Sequence, residues 1–388
     1  MKFNIKSNRL SFSVLLLSFV LLISLVVFLY KNTPSEEQFF RRKESLSAIA
    51  GQTKGEQVDD RSIVSRIVKS YQLAIEEQES LGKSMWQYIF DQKHKNIHEI
   101  FKNGQEDAAA AILRDPGSSE LFYGIDSLVA SLQPQMQAQN YAVLCLDCLV
   151  RFAEAIGAVR LQNPEGVYRP PLSWNGDVIL ERVVKVLGYP ISFPNPYPNE
   201  YGLSTSQGII SYRVPQALYQ AWRIKQHVKG IQNPRVLEIG AGVGRTAFFA
   251  RQLGIEDYTI VDLPITEISS EYFLSRAIGE DHVQLHGEKR PNAERSIKFL
   301  TPAEFMAGNS SYDLIINVDS LTEMDPDTAR AYWKKIEAST GKFLSINHEF
   351  NPFTVKELID ESSSVVQADR MLNSMRRGYV EEYVQFRQ

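Results

Sequence analysis

Residues 234–250 read Pro-Arg-Val-Leu-Glu-Ile-Gly-Ala-Gly-Val-Gly-Arg-Thr-Ala-Phe-Phe-Ala. The largely apolar run at 236–239 reads as a short buried strand. It breaks into glycines at alternate positions, Gly240, Gly242 and Gly244, and then into an apolar helical pattern. Strand, tight turn and helix start follow in that order. Glycine lets the backbone swing sharply, and a turn without side chains admits a ligand against its main chain. The expectation is a nucleotide-like ligand lying across this turn.

Downstream of the turn, short β-type runs alternate with helical patterns. Strands are expected at 258–261, 314–318 and 343–346, with one more at either 282–285 or 297–300. The final stretch, 379–387, suits an edge strand. Asp325-Pro326 and Asn351-Pro352 each place a cap before a first-turn proline. Such alternation implies an α/β fold, a doubly wound, Rossmann-like parallel sheet over residues 231–388. Upstream, residues 61–230 read as a mainly helical accessory domain. Ile63, Ile67, Tyr71 and Ile75 recur every four residues and make one apolar stripe. Further helical patterns cover 83–102, 119–132, 141–156 and 177–187. Residues 188–202 differ, because Pro190, Pro194, Pro196 and Pro198 favour a stiff extended loop. With Tyr197, Asn199, Glu200 and Tyr201 it reads either as a sugar-compatible loop or as a domain linker.

The chain has 388 residues, 44% hydrophobic and 23% charged, with a net charge of -4. That length suits two domains, and the charge balance supplies no basic footprint for nucleic acid. The only cysteines, Cys145 and Cys148, are spaced like a redox or a zinc pair, and a zinc site needs two more ligands. No further Cys or His lies near, so they read as small side chains packed in a helix. Residues 10–30 are uncharged and rich in Leu, Val, Phe and Ile. At about 1.5 Å per residue the run is long enough to cross a bilayer once. A signal peptide has a shorter apolar core, about 7–15 residues, and no cleavage site follows at once. The expectation is a membrane anchor, one N-terminal transmembrane helix within residues 1–30, and a polar linker over 31–60. Basic residues flank the run almost equally, which leaves its orientation open.

The spacing of the turn narrows its ligand. A dinucleotide fingerprint is G-x-G-x-x-G, whereas here the third glycine comes one residue early, after an acidic Glu238. Asp262 ends the run Tyr-Thr-Ile-Val, 18 residues beyond Gly244 (262 − 244). A carboxylate there can accept from both hydroxyls of a ribose. Together these features resemble motif I and the acidic strand end of the class I S-adenosylmethionine-dependent methyltransferases. The segments Tyr-Thr-Ile-Val-Asp-Leu-Pro (258–264), Tyr-Asp-Leu-Ile-Ile-Asn-Val-Asp-Ser-Leu-Thr-Glu-Met (312–324) and Leu-Ser-Ile-Asn-His-Glu-Phe (344–350) are similar to the sugar O-methyltransferase family, over about residues 190–388. The resemblance implies S-adenosyl-L-methionine as cofactor and a sugar hydroxyl of a bacterial surface glycan, or of its precursor, as acceptor. It implies cofactor binding by Glu238, Gly240, Ala241, Gly242, Gly244, Asp262 and Leu263.

Ligands of an open α/β sheet bind beyond the carboxyl ends of its strands. The end of the third strand therefore offers Phe299, Leu300 and Thr301 as an adenine shelf, with ordinary core as the other reading of Phe299. The run at 314–318 delivers Asn317, Asp319, Ser320 and Glu323 to the same rim, and 343–346 delivers Asn347, His348 and Glu349. Methyl transfer to a hydroxyl needs an aligned oxygen and a base. His348 is the natural base because imidazole titrates near neutrality. Glu323 or Glu349 would orient it or hold sugar hydroxyls, with Asp319 beside them. Asp319, Glu323 and His348 would also suit a divalent cation, but no ligand spacing on one element supports it, and no metal is assigned. Cofactor supply places the catalytic domain in the cytoplasm. A methyltransferase of a non-sugar small molecule and a non-catalytic membrane-tethered scaffold are the alternatives.

Overall fold

The computed structural model describes residues 24, 45–55, 58–76, 84–126, 137–161, 173–289, 295–351 and 353–387. Residues 46–160 and 174–388 form one compact unit; the other, 1–45 and 161–173, lies almost wholly outside the described residues.

The upstream part holds β1 (Ala50–Lys54), α1 (Arg61–Glu76), α2 (Met85–Ile89), α3 (Lys95–Lys102), α4 (Glu106–Arg114), α5 (Ala138–Ala155) and α6 (Gly176–Leu187). The stripe on α1 is real: Val64, Ile67, Val68, Tyr71 and Ala74 are buried. β1, within the stretch expected to be linker, pairs with β2 (Pro198–Thr205), which pairs in turn with β3 (Gly208–Ile210). The proline-rich stretch thus runs into the middle strand of a small antiparallel sheet. Helix α7 (Val214–His227) follows, with Pro215 in its first turn.

The downstream part is an eight-stranded sheet. Its strands are β4 (Arg235–Ile239), β5 (Asp257–Val261), β6 (Val283–Gln284), β7 (Ile297–Leu300), β8 (Leu314–Val318), β9 (Lys342–His348), β10 (Val365–Leu372) and β11 (Tyr379–Phe386), in the order β10-β11-β9-β8-β4-β5-β7-β6. All neighbours run parallel except β11, which is antiparallel to both β9 and β10. Helices α8 (Arg245–Gln252), α9 (Pro264–Ile278), α10 (Pro302–Ala307), α11 (Pro326–Ser339) and α12 (Val355–Glu361) connect them. Parallel strands of such sheets are buried on both faces, and all five residues of β5 are buried, Asp257 and Thr259 among them. The chain leaves β4 toward β5 on one side, while β8 pairs with β4 on the other. The glycine turn therefore sits at the point where the strand order reverses, where such sheets open a crevice.

Three expectations change here. Both candidates for the third strand are strands: β7 pairs with β5, and β6 adds outside it at the edge. The C-terminal run is not an edge strand, because β11 is inserted between β9 and β10. The edge is β10, whose residues are almost all exposed, so its sequence lacks the one-sided alternation that reveals a strand. The membrane anchor and the localisation built on it are also corrected. No helix among the described residues is long and apolar enough to cross a membrane. The run at 10–30 that suggested one lies, Ser24 apart, outside the described residues.

Candidate active site

The crevice opens as a cavity of about 800 Å³, within the usual range for small-ligand sites. The glycine turn forms its floor. Gly240 and Gly244 take left-handed φ values of 77° and 84°, which a side chain resists. A Cβ on Gly240 would also collide with Ser320, so the ends of β4 and β8 approach closely only because that position is bare. Gly242 faces Ile125 of the upstream part, 3.2 Å from where its Cβ would stand. Gly244 does a different job. It does not line the cavity; its bare α-carbon lets Ser270 and Leu274 of α9 pack against the start of α8.

Asp262 closes the turn. Its Oδ2 accepts from the Gly242 N–H at 3.1 Å, and its Oδ1 accepts from the Leu263 N–H at 2.8 Å and the Thr266 hydroxyl at 2.5 Å. A carboxylate offers about four acceptor positions, so capacity remains on Oδ2 for a ligand hydroxyl. Burial pushes this carboxyl above the usual range, opposed by those hydrogen bonds. Glu238 lines the same floor, almost fully buried, and takes the Tyr258 hydroxyl on Oε2 at 2.9 Å. Burial pushes it up to about 8, toward the protonated form. Ala241 and Leu263 line the cavity beside them, and Thr301, Pro302, Ala303 and Met306 form a further wall. A bare turn, a carboxylate with spare capacity and an apolar wall fit a nucleoside bearing a small polar tail.

Asp319, Glu323 and His348 line the same cavity. Asp319 sits just past β8 in a left-handed conformation, φ 53°, strained for a non-glycine residue. Its Oδ2 takes Arg376 at 2.5 Å and the Tyr379 hydroxyl at 2.9 Å. Glu323 lies in a short helical turn, and the Trp86 indole N–H donates to its Oε2 at 3.1 Å. Burial first, and the Asp319 charge second, raise Glu323 to about 7. His348 packs edge-on against Tyr379, and its Nδ1 accepts from the Phe350 N–H at 3.3 Å. That contact leaves Nε2 as the protonated nitrogen of the neutral ring. In this arrangement the His348 Nε2 is left free to donate. Among the described residues no cluster of three His, Cys, Asp or Glu side chains could hold a metal ion.

Several expected contacts lie elsewhere. Phe299 is 3% exposed and belongs to the core; Thr301, two residues on, reaches the cavity instead. Asn317 is fully buried beneath the floor and does not line the cavity. It donates to the Ile239 carbonyl at 3.0 Å and to Ser320 at 2.5 Å, holding the two strand ends together. Glu349 turns away and pairs with Arg370. Of the proline-rich loop, Tyr197 is buried against Tyr272, and Glu200 pairs with Arg245, so neither is a sugar-stacking group. Sequence reasoning missed Trp86, Arg213, Arg376 and Tyr379. No periodic signal marks them, since each sits in a turn or at the start of a helix or strand, outside the glycine motif in sequence.

No family model matches the sequence, and no curated protein matches it either. Solved structures do. A glycopeptide N-methyltransferase complexed with sinefungin is 16% identical, with 44% of this chain and 94% of that chain covered and a TM-score of 0.33. Magnesium protoporphyrin IX methyltransferase from Synechocystis PCC 6803, with bound SAH, is 10% identical over 44% and 85%, with a TM-score of 0.32. Ribosomal protein L11 methylase from Lactobacillus delbrueckii subsp. bulgaricus is 12% identical over 45% and 80%, with a TM-score of 0.33.

Proposed function

We propose that this chain is an S-adenosylmethionine-dependent O-methyltransferase whose acceptor is a sugar hydroxyl. The observation that carries this reading is one cavity holding both halves of the chemistry. The bare glycine turn, Asp262 and Glu323, raised to about 7, all line it. The narrowing to a sugar leans on the resemblance of the 312–324 and 344–350 segments and on the density of polar groups at the acceptor side.

The cofactor supplies an electrophilic methyl group on a sulfonium. Asp262 would hold its ribose hydroxyls, and Gly240, Ala241 and Gly242 would leave room for its polar tail against the main chain. Glu323 then removes the acceptor proton. Its Oε2 is fixed by Trp86, which leaves Oε1 for the acceptor hydroxyl. A base that titrates near the working pH is both available and strong enough to help the transfer. His348, donating through Nε2, orients the acceptor by another of its oxygens. Most of the acceleration comes from holding the oxygen in line.

The test is transfer of labelled methyl from S-adenosylmethionine to a panel of free, nucleotide-linked and lipid-linked sugars. Transfer that Glu323→Gln abolishes while cofactor affinity is kept supports the reading. Transfer to a non-carbohydrate acceptor and to no sugar would sink the sugar assignment alone.

A further inference from the structure

Resting on the cofactor reading above, we propose that Arg213 is a recognition point for a carboxylate that carries an N–H or O–H donor beside it. Arg213 precedes α7 and lines the cavity with Gln216 and Ala217 from the first turn of that helix. Its Nε lies 3.7 Å from Asp126 Oδ1, and its Nη1 lies 3.8 Å from Asp319 Oδ2. Both separations exceed hydrogen-bond distance, so among the described residues its donors make no hydrogen bond.

The neighbouring arginines are different. Arg245 reaches Asp126 at 2.5 Å and Glu200 at 3.2 Å, and Arg376 reaches Asp319 at 2.5 Å. The two carboxylates beside Arg213 are thus already paired without it. Its side chain is 24% exposed, which leaves the guanidinium fork open to the cavity, and a fork of that shape matches a carboxylate. Around it lie three buried acceptor oxygens with no hydrogen-bond partner among the described residues: Gln216 Oε1, Asp126 Oδ1 and Asp319 Oδ1. Buried acceptors are normally satisfied, so a ligand donor next to the carboxylate would complete them. Glu323 and His348 also line this cavity, and Glu323 adds a further acceptor charge that disfavours a bare anion and favours one with an adjacent donor. Two molecules offer that chemistry: the amino-acid end of the cofactor, and an acidic sugar with a ring hydroxyl.

The experiment is calorimetry on the full chain and its Arg213→Gln variant, with S-adenosylhomocysteine, 5′-methylthioadenosine, and glucuronate against glucose added over saturating S-adenosylhomocysteine. If the cofactor brings the carboxylate, Arg213→Gln weakens S-adenosylhomocysteine about tenfold or more and leaves 5′-methylthioadenosine within twofold. If the acceptor brings it, S-adenosylhomocysteine is unchanged and the preference for glucuronate over glucose is lost. Arg213→Lys, which keeps the charge but not the fork, should recover part of either loss. Equal losses for both nucleosides, or no change with any probe, overturn the proposal. A parent chain that binds neither nucleoside counts against the cofactor reading instead, and glucuronate against glucose, added without nucleoside, then decides the carboxylate site.

Discussion

On the proposed donor side of the cleft, Glu238, Gly240, Gly242, Asp262 and Thr266 come from one stretch running from β4 and its turn to the end of β5 and the start of α9. On the proposed acceptor side, Trp86, Arg213, Asp319, Glu323, His348, Arg376 and Tyr379 are drawn from segments scattered through most of the chain. The donor side is held by main-chain geometry: a bare turn and backbone N–H groups on a carboxylate. The acceptor side is held by side chains, an arginine and a tyrosine on Asp319 and an indole on Glu323. The first arrangement needs only the contacts of one stretch, the β4–β5 pairing and the Gly242–Asp262 hydrogen bond. The second exists only when the whole unit has packed.

That contrast makes the two sides separable by mutation. The largest effect belongs to Glu323→Gln, with turnover falling about 100- to 10,000-fold, the span of general-base contributions, while S-adenosylhomocysteine affinity stays within about twofold. Steady-state rates with calorimetry decide it; a variant at full rate would return the base role to His348. Next, Asp262→Ala should weaken cofactor binding by about 10- to 100-fold, since hydrogen bonds to a charged group are lost. An Asp262→Ala chain that lost acceptor affinity alone would erase the donor–acceptor distinction. His348→Ala should raise the acceptor KM about three- to tenfold with little change in cofactor affinity, in keeping with one orienting hydrogen bond.

Two effects depend on pH. Activity should rise with pH through about 7, as Glu323 loses its proton, and a profile without that limb speaks against it as base. Stability should move the other way. Burial raises Glu238 and Glu271 to about 8, above the 4.5 of the free side chain. The folded chain then binds more protons than the unfolded one between those values, so stability falls as pH rises through about 8. Melting temperature should drop by roughly 5 °C from pH 5 to pH 9, and Glu271→Gln, away from the cavity, should flatten the slope without altering turnover.

Sequence alone determined the doubly wound core, the glycine turn and the acid at the end of β5. Period-two and period-3.6 patterns and glycine spacing are local properties of a chain. It also pointed to Asp319, Glu323 and His348, because strand ends in such a sheet converge on one rim. It did not separate their roles. Imidazole is the usual base near neutrality, but the Phe350 N–H claims His348 Nδ1, and burial with a neighbouring carboxylate brings Glu323 into that range instead. Nor did it reveal that β10 is the sheet edge, or that Asn317 is a tie between strands while Phe299 is core. Upstream, the helices α1, α3, α5 and α6 were legible. Residues 119–126 are bends and turns where a helix over 119–132 was expected, and the wall they give the cavity was not legible. Burial, pKa and the meeting of Trp86 with Glu323 are properties of three-dimensional packing, and only the tertiary structure decides them.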